Sequence, residues 1–289
     1  MVTQESRRHH FVPELLLKPW LVEMPPRQYK LWGYWWDPHK NALACKRLGL
    51  NSFCNQLDLL TLKAHNLGRD VIERLFFGEI DTKGAAARDI LLEHGPNRLT
   101  GDQRCDFARL LFSLEARRPI MIERLRTEGA MRLANELDAD LEIRTAMAEY
   151  AIDDTPSSYV ENQLGWSLED RALTNVQRLV DNPKVGGRLI NAHWDLKALG
   201  GGDDSLVLSD RPLIRIHGYD RPGATWLLPL TPRIMFIAAN HRANLDRLRR
   251  VTAQRFAKLT NISSANQAER FVFSVEERHA QWLGKYLRA

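Results

Sequence analysis

The feature that most limits how this chain can fold is a change of hydrophobic period partway along it. From Gln56 to about Asn182 apolar residues recur at three- and four-residue spacing; beyond Asp181-Asn182-Pro183 and Gly186-Gly187 they fall into short alternating runs. The first spacing lines one face of a helix and the second lines one face of a strand. Helices and strands that are segregated along a chain imply an α+β fold. The expectation is a helical central region packed on a C-terminal antiparallel sheet, with an N-terminal β-hairpin. The chain is read as a single domain, 1–289, with subregions 1–55, 56–185 and 186–289.

Local signals fill in that outline. Glu14 to Trp20 reads as a short helix closed by prolines. Tyr29 to Trp36 and Ala42 to Arg47 read as strands joined by the turn residues Asp37-Pro38-His39-Lys40-Asn41. Thr100-Gly101-Asp102-Gln103 has the residues of a capping box, and Pro119 should kink or break the helix it opens near Glu115. Gly129 to Tyr150 and Trp166 to Val180 continue as helices. Strands are expected over Arg188 to Leu196, Ser205 to Leu208, Leu213 to His217, Thr225 to Leu230, Ile234 to Ala239 and Phe271 to Phe273. Ser274-Val275-Glu276-Glu277 is read as a second capping box, opening a C-terminal helix.

Composition excludes several classes. At 44% apolar and 27% charged residues the 289-residue chain is ordinary for a globular protein. No apolar run approaches the roughly 18 residues of a membrane span, and Lys18-Pro19 interrupts the only N-terminal leucine run before a signal sequence could form. No membrane partner and a cytoplasmic location are therefore expected. Cys45, Cys54 and Cys105 are too few and too scattered for a disulfide framework or a thiolate zinc site. Asn240 to Lys258, read as one basic helix, carries Arg242, Arg247, Arg249, Arg250, Arg255 and Lys258 against Asp246 alone. That excess equals the chain's whole net charge of +5. RNA or DNA is the partner such a field attracts, although solvated helices also carry such charge.

Several short motifs stand in a particular order: His9-His10-Phe11-Val12-Pro13 with Leu16 and Trp20, Arg117-Arg118-Pro119, Leu208-Ser209-Asp210-Arg211-Pro212, Pro229-Leu230-Thr231-Pro232, and Asn261 through Ala268 to Phe271-Val272-Phe273-Ser274. In that order the chain resembles the domain-of-unknown-function family number 4238. Arg211 departs from the asparagine usual in that family's Ser-Asp-Asn-Pro turn. The resemblance implies a fold and a set of special positions, and no activity.

The paired histidines are the first chemical candidates, because imidazole titrates near neutrality. His10, favoured over His9, could act as general acid or base, and the alternative is a ring that ties the N-terminus to the fold. Asp210 could hold a histidine tautomer or a metal, or simply bond its own turn. Glu115 and Arg118 share a helix face; Arg118 could clamp a phosphate, or the two could form an ordinary ion pair. Trp32, Tyr34, Trp35 and Trp36 could stack bases or cover core. Asp203-Asp204 and His193-Trp194-Asp195 carry weaker signals. No cofactor is specified; a divalent metal on His9 or His10, Asp210 and a third ligand is compatible with the sequence.

Two functions follow. The first is a phosphodiester-cleaving, nuclease-like hydrolase with His10 as acid or base, Asp210 as its partner, Arg118 as clamp and the basic helix along the nucleic-acid backbone. The second is a non-catalytic binding protein that docks nucleic acid or an acidic protein through that helix. An enzyme on a small anionic metabolite is a third, disfavoured by the lack of a cofactor loop.

Overall fold

A computed structural model describes residues 7–287 except 64, 66, 203, 204, 219 and 220. The Asp203-Asp204 pair therefore lies outside the described residues. The chain starts with β1 (Arg8–His10), α1 (Glu14–Leu17) and a 3-10 turn over Lys18–Trp20. β2 (Val22–Met24), β3 (Gln28–Asp37), β4 (Ala42–Leu48) and β5 (Asn55–Leu57) follow. The β3–β4 hairpin is the one the turn chemistry implies: Asp37 Oδ1 accepts from the amides of His39 and Lys40, at 3.0 and 3.3 Å.

A π-helical turn over Ile72–Phe77 leads into α2 (Gly78–His94), which packs antiparallel on α3 (Gly101–Ala116). The capping box at Thr100 and Gln103 is formed in both directions. The α3 helix ends at Arg117, and Pro119 becomes the first residue of α4 (Pro119–Arg124), where its missing N–H is harmless. Then come a second π turn (Leu125–Gly129), α5 (Ala130–Ala139), α6 (Leu141–Glu149) and α7 (Pro156–Asn162). The single helix expected over 166–180 is two, α8 (Leu168–Thr174) and α9 (Val176–Val180), with the Ser167 side chain capping the first.

The strand expected over 188–196 starts late: residues 188–190 are the end of a helix, and only 193–196 are strand. The Asn182 side chain accepts from the amides of Lys184 and Val185, and Pro183 sits at the first helical position, so α10 runs Pro183–Ile190. Only then does β6 (His193–Ala198) begin. With β8 (Ile214–Ile216), β9 (Thr225–Thr231) and β10 (Ile234–Ala239) it forms an antiparallel sheet of order β6-β10-β9-β8. Pro229 is tolerated inside β9 because it faces Met235 where the register shifts. α3 lies on this sheet, where Phe107 meets Trp194 and Phe236 edge to face at 5.7 and 5.0 Å.

The basic helix is also two helices, α11 (Arg242–Arg250) and α12 (Ala253–Gln267). Lys197 Nζ donates to the carbonyls of Leu248, Arg249 and Val251, closing the first, and Thr252 caps the second. The strands at 208–209 and 272–274, β7 (Leu208–Ser209) and β11 (Val272–Ser274), do not join the C-terminal sheet. They extend the N-terminal hairpin into a sheet of order β2-β3-β11-β7, with β4 on the other edge of β3. Ser274 does not open a capping box: its Oγ accepts from Glu276 N at 3.1 Å, and a 3-10 turn at Glu277–His279 precedes α13 (Ala280–Leu283).

The main core draws Val12, Leu16, Leu17 and Trp20 from the N-terminal segment, Leu91, Phe107, Leu110 and Leu114 from the central helices, and Leu208, Trp226, Phe236 and Phe273 from the strands. The four hairpin aromatics divide by strand alternation: Trp32 and Tyr34 face one hydrophobic cluster, and Trp35 packs on the main core. Among the described residues no helix is long and apolar enough to cross a membrane.

Candidate functional site

The histidine motif is already strand: Arg8, His9 and His10 face Leu57, Gln56 and Asn55 across an antiparallel pair. Neighbouring side chains on a strand point to opposite faces, so the two rings part company. His9 is fully buried, and its Nδ1 accepts from Leu60 N at 2.8 Å. That bond ties the N-terminal strand to the following loop. His10 is half-buried on the opposite face, with Nε2 4.0 Å from Glu14 Oε1 and without a hydrogen-bond partner.

The backbone of His10 also takes part. Phe11 N donates to Cys54 O and Asp58 N to Arg7 O, so odd residues bond to β5 and the His10 amide faces away from it. On that side it favours the charged form of the Glu73 carboxyl. Glu73 stands on the first π turn, a wide helical form that re-aims side chains and is frequent at functional sites. Its Oε2 is buried without a partner.

Both groups feel the charge of Arg117, a guanidinium with no exposed surface. Arg117 reaches Asp81 with two bonds, Nη1–Oδ2 at 3.0 Å and Nη2–Oδ1 at 2.6 Å. It donates further to the Ser113 hydroxyl at 2.6 Å and the Ser113 carbonyl at 3.3 Å, and lies 4.5 Å over the Phe77 ring. A buried arginine needs this full set of partners.

Burial pushes the Glu73 carboxyl up to about 7, with Arg117 and the His10 amide opposing and Asp81 and Asp70 adding to the rise. Burial lowers His10 below its ordinary 6.5, against the pull of Glu14 and Asp81. Near neutrality the site can thus hold a protonated carboxyl and a neutral imidazole together, a donor and an acceptor for protons.

The other residues singled out from sequence lie elsewhere. The Asp210 carboxylate accepts from the amides of Glu269, Arg270 and Phe271 at 2.7–2.9 Å. Burial nevertheless pushes it up to about 6, opposed by those three bonds. It closes the corner between β7 and β11. Glu115 accepts from Arg118 at 3.0 Å, Arg211 at 3.2 Å and Arg215 at 3.5 Å. Burial raises its pKa, but the Arg211 bond and the surrounding charges prevail and bring it below the ordinary value. Arg118 also binds Glu269. Arg211, the residue that departs from the family turn, is thus a partner of Glu115.

Along the basic segment, Arg242 pairs with Asp246 at 3.2 Å and Arg249 with Asp195 and Asp246. Arg247, Arg250, Arg255 and Lys258 are exposed, with no acidic partner among the described residues. Cys45, Cys54 and Cys105 are free thiols. Among the described residues no group of three His, Cys, Asp or Glu is arranged to hold a metal ion.

Sequence reasoning missed Glu73 and Asp81, which lie in helical segments that carry many ordinary surface charges. It also chose Arg118 over Arg117. The signal for Arg117 was present, since it belongs to the Arg117-Arg118-Pro119 motif; a helix ending at Pro119 turns adjacent residues to opposite sides. A family model described as "Protein of unknown function (DUF4238)" matches residues 8–278, nearly the whole chain, and the protein belongs to that family. No curated protein and no solved structure matches it.

Proposed function

We propose that this member of the DUF4238 family is an acid–base hydrolase that cleaves phosphodiester bonds of nucleic acid, with His10 as base and Glu73 as acid. The observation that carries the reading is one pair of atoms: His10 Nε2 and Glu73 Oε2 are both buried and unpartnered, and both groups feel the charges of Arg117 and Asp81. A polar atom held out of water without a partner is a cost that folding alone does not explain. His10 Nε2 takes the proton from an attacking hydroxyl as its oxygen bonds to phosphorus. Glu73 gives its proton to the oxygen that leaves as the second phosphorus–oxygen bond breaks.

Charge supports an acid-side optimum. Arg117 is consumed by Asp81, and Glu14 adds a further negative charge, so a phosphodiester anion is admitted best while Glu73 is protonated. Arg247, Arg250 and Arg255 would hold the polyanion, whereas Glu115, Arg118 and Asp210 serve the fold.

The test is cleavage of fluorogenic RNA and DNA oligonucleotides between pH 5 and pH 9, with and without added divalent cation. A bell-shaped profile with limbs below 6.5 and near 7 is expected. His10→Ala and Glu73→Gln should each remove at least two decades of rate while leaving a folded protein. Wild-type protein that cleaves neither polymer refutes the reading. The exposed Arg247, Arg250 and Arg255 support the second reading, a binding protein without turnover. It predicts salt-dependent association that His10→Ala leaves intact and that charge reversal of Arg247 and Arg250 abolishes.

A further inference from the structure

A second site, unrelated to the histidine motif, lies between α12 and the C-terminal turn. A cavity of about 520 Å³ opens there, lined by Ser205, Lys258, Arg278, His279, Trp282, Lys285 and Tyr286 among others. Its volume falls within the roughly 300–1,000 Å³ of small-molecule pockets. Three lining residues are cationic and none is acidic. Arg278 is neutralised by Glu276, but Lys258 and Lys285 are exposed with no acidic partner among the described residues.

Part of the lining is aromatic. His279, Trp282 and Tyr286 recur at three and four residues, and each meets the next edge to face, at 5.7 and 5.8 Å. Trp282 and Tyr286 are half-buried, which leaves part of each ring to the cavity.

The floor is a hydrogen-bond chain whose direction can be assigned. The Trp282 indole only donates, and it gives its Nε1–H to His279 Nδ1 at 3.0 Å. Burial holds the His279 pKa below its ordinary value, so the ring is neutral and carries its single proton on Nε2. That proton goes to Ser205 Oγ, 3.1 Å away. His279 therefore cannot take a proton from Ser205, and the pair is not a nucleophile and its base. Instead the Ser205 hydroxyl, only 2% exposed, has its own proton left for the cavity it lines.

We propose that this cavity binds a mononucleotide-sized aromatic phosphate, with the ring on Trp282 or Tyr286 and the phosphate between Lys258, Lys285 and the Ser205 hydroxyl. Base–aromatic stacking and charge-assisted phosphate contacts are separable contributions, so the two halves of the ligand can be tested apart.

The experiment is calorimetric titration of the full chain with adenosine 5′-monophosphate, adenosine and inorganic phosphate, each at low and high salt. The nucleotide should bind at least tenfold more tightly than either half. Lys258→Ala combined with Lys285→Ala should weaken the nucleotide at least tenfold and leave adenosine unchanged. Both lysines are exposed, so the variant folds, and an unchanged melting temperature confirms it. Three results overturn the proposal: no binding of the nucleotide, equal affinity for nucleotide and phosphate, or a lysine variant that binds as wild type does. A single-stranded RNA that binds a hundredfold more tightly than the mononucleotide would also overturn it, by marking the cavity as part of a polymer track. None of these results bears on cleavage at His10.

Discussion

Replacing Glu73 by glutamine should make the protein more stable at pH 8 and catalytically dead, and the two effects share one cause. The Glu73 carboxyl titrates at about 7 in the fold against an ordinary 4.5. At about 1.4 kcal/mol per tenfold, that gap corresponds to about 3 kcal/mol. Because the folded state holds the proton more tightly, the stabilisation is complete below about 4.5 and is lost as pH rises through about 7. At pH 8 the wild type therefore contains a buried, ionised carboxylate, which glutamine replaces at nearly equal volume. The variant keeps a side-chain oxygen, and the unpartnered Oε2 position loses no bond. A gain of about 1–3 kcal/mol is expected at pH 8 and close to none at pH 4.5, read from urea denaturation at both values. A Glu73→Gln protein no more stable than wild type at pH 8, or a difference independent of pH, would refute the reasoning. If Glu73 were an ordinary scaffold residue, its replacement would destabilise. Stability gained together with loss of turnover is the mark of a site held against its own folding preference.

Four further outcomes follow from the same contacts. His9→Ala, which strands the Leu60 amide and empties a fully buried position, should lower stability by about 2–3 kcal/mol; His10→Ala should change it by under about 1 kcal/mol, and denaturation of the two variants side by side distinguishes anchor from reagent. Asp210→Ala leaves three amides without an acceptor and should be destabilising by about 3 kcal/mol or more, with faster hydrogen exchange at Glu269, Arg270 and Phe271. Gly33→Ala would drive its Cβ into the Phe53 ring, and should lower the melting temperature by several degrees at about 1–3 kcal/mol. Lys197→Met removes the donor shared by three carbonyls at the end of α11 and should increase exchange at Val251 and the last turn, with about 1–2 kcal/mol lost.

Much of the fold was legible because local chemistry agreed with the final structure. Thr100 and Gln103 cap α3, the Asp37 turn closes the hairpin, and Pro119 starts a helix because it cannot continue one. The misreadings have a common origin in polar groups that end elements. Asn182 and Thr252 start helices where apolar pattern alone suggested a strand or an unbroken helix, and Lys197 stops α11 from a strand more than fifty residues away in sequence. The assignment of β7 and β11 to the N-terminal sheet was beyond the sequence for another reason. Strands of two or three residues do not record which neighbour they will meet, and pairing of Val272–Ser274 with Trp32–Tyr34 is decided by tertiary packing.

The candidate site was half legible, and the reason lies at the end of α3. Glu115, Arg117 and Arg118 sit within four residues, and all three are charged, so sequence spacing grouped Glu115 with Arg118 as helix neighbours three apart. That grouping is real, and it ties α3 to the C-terminal strands: Arg118 binds Glu115 and Glu269, and Arg211 and Arg215 complete the network. Arg117 takes the opposite course because the helix stops beneath it. Its backbone amide still closes the last turn on Ser113, while its side chain runs inward between Phe77 and Asp81. Buried and bidentate, it is fixed to a fraction of the freedom of a surface arginine, which lets it set the field at Glu73 and His10 without touching a substrate. The positive charge lowers both groups, so Arg117 holds Glu73 near neutrality instead of far above it, and a neutral replacement should move the basic limb of any activity profile upward. Arg118 pairs with Glu115 and Glu269, and its neighbour Arg117 sets the field at His10 and Glu73; the helix end between them is what keeps those two tasks apart.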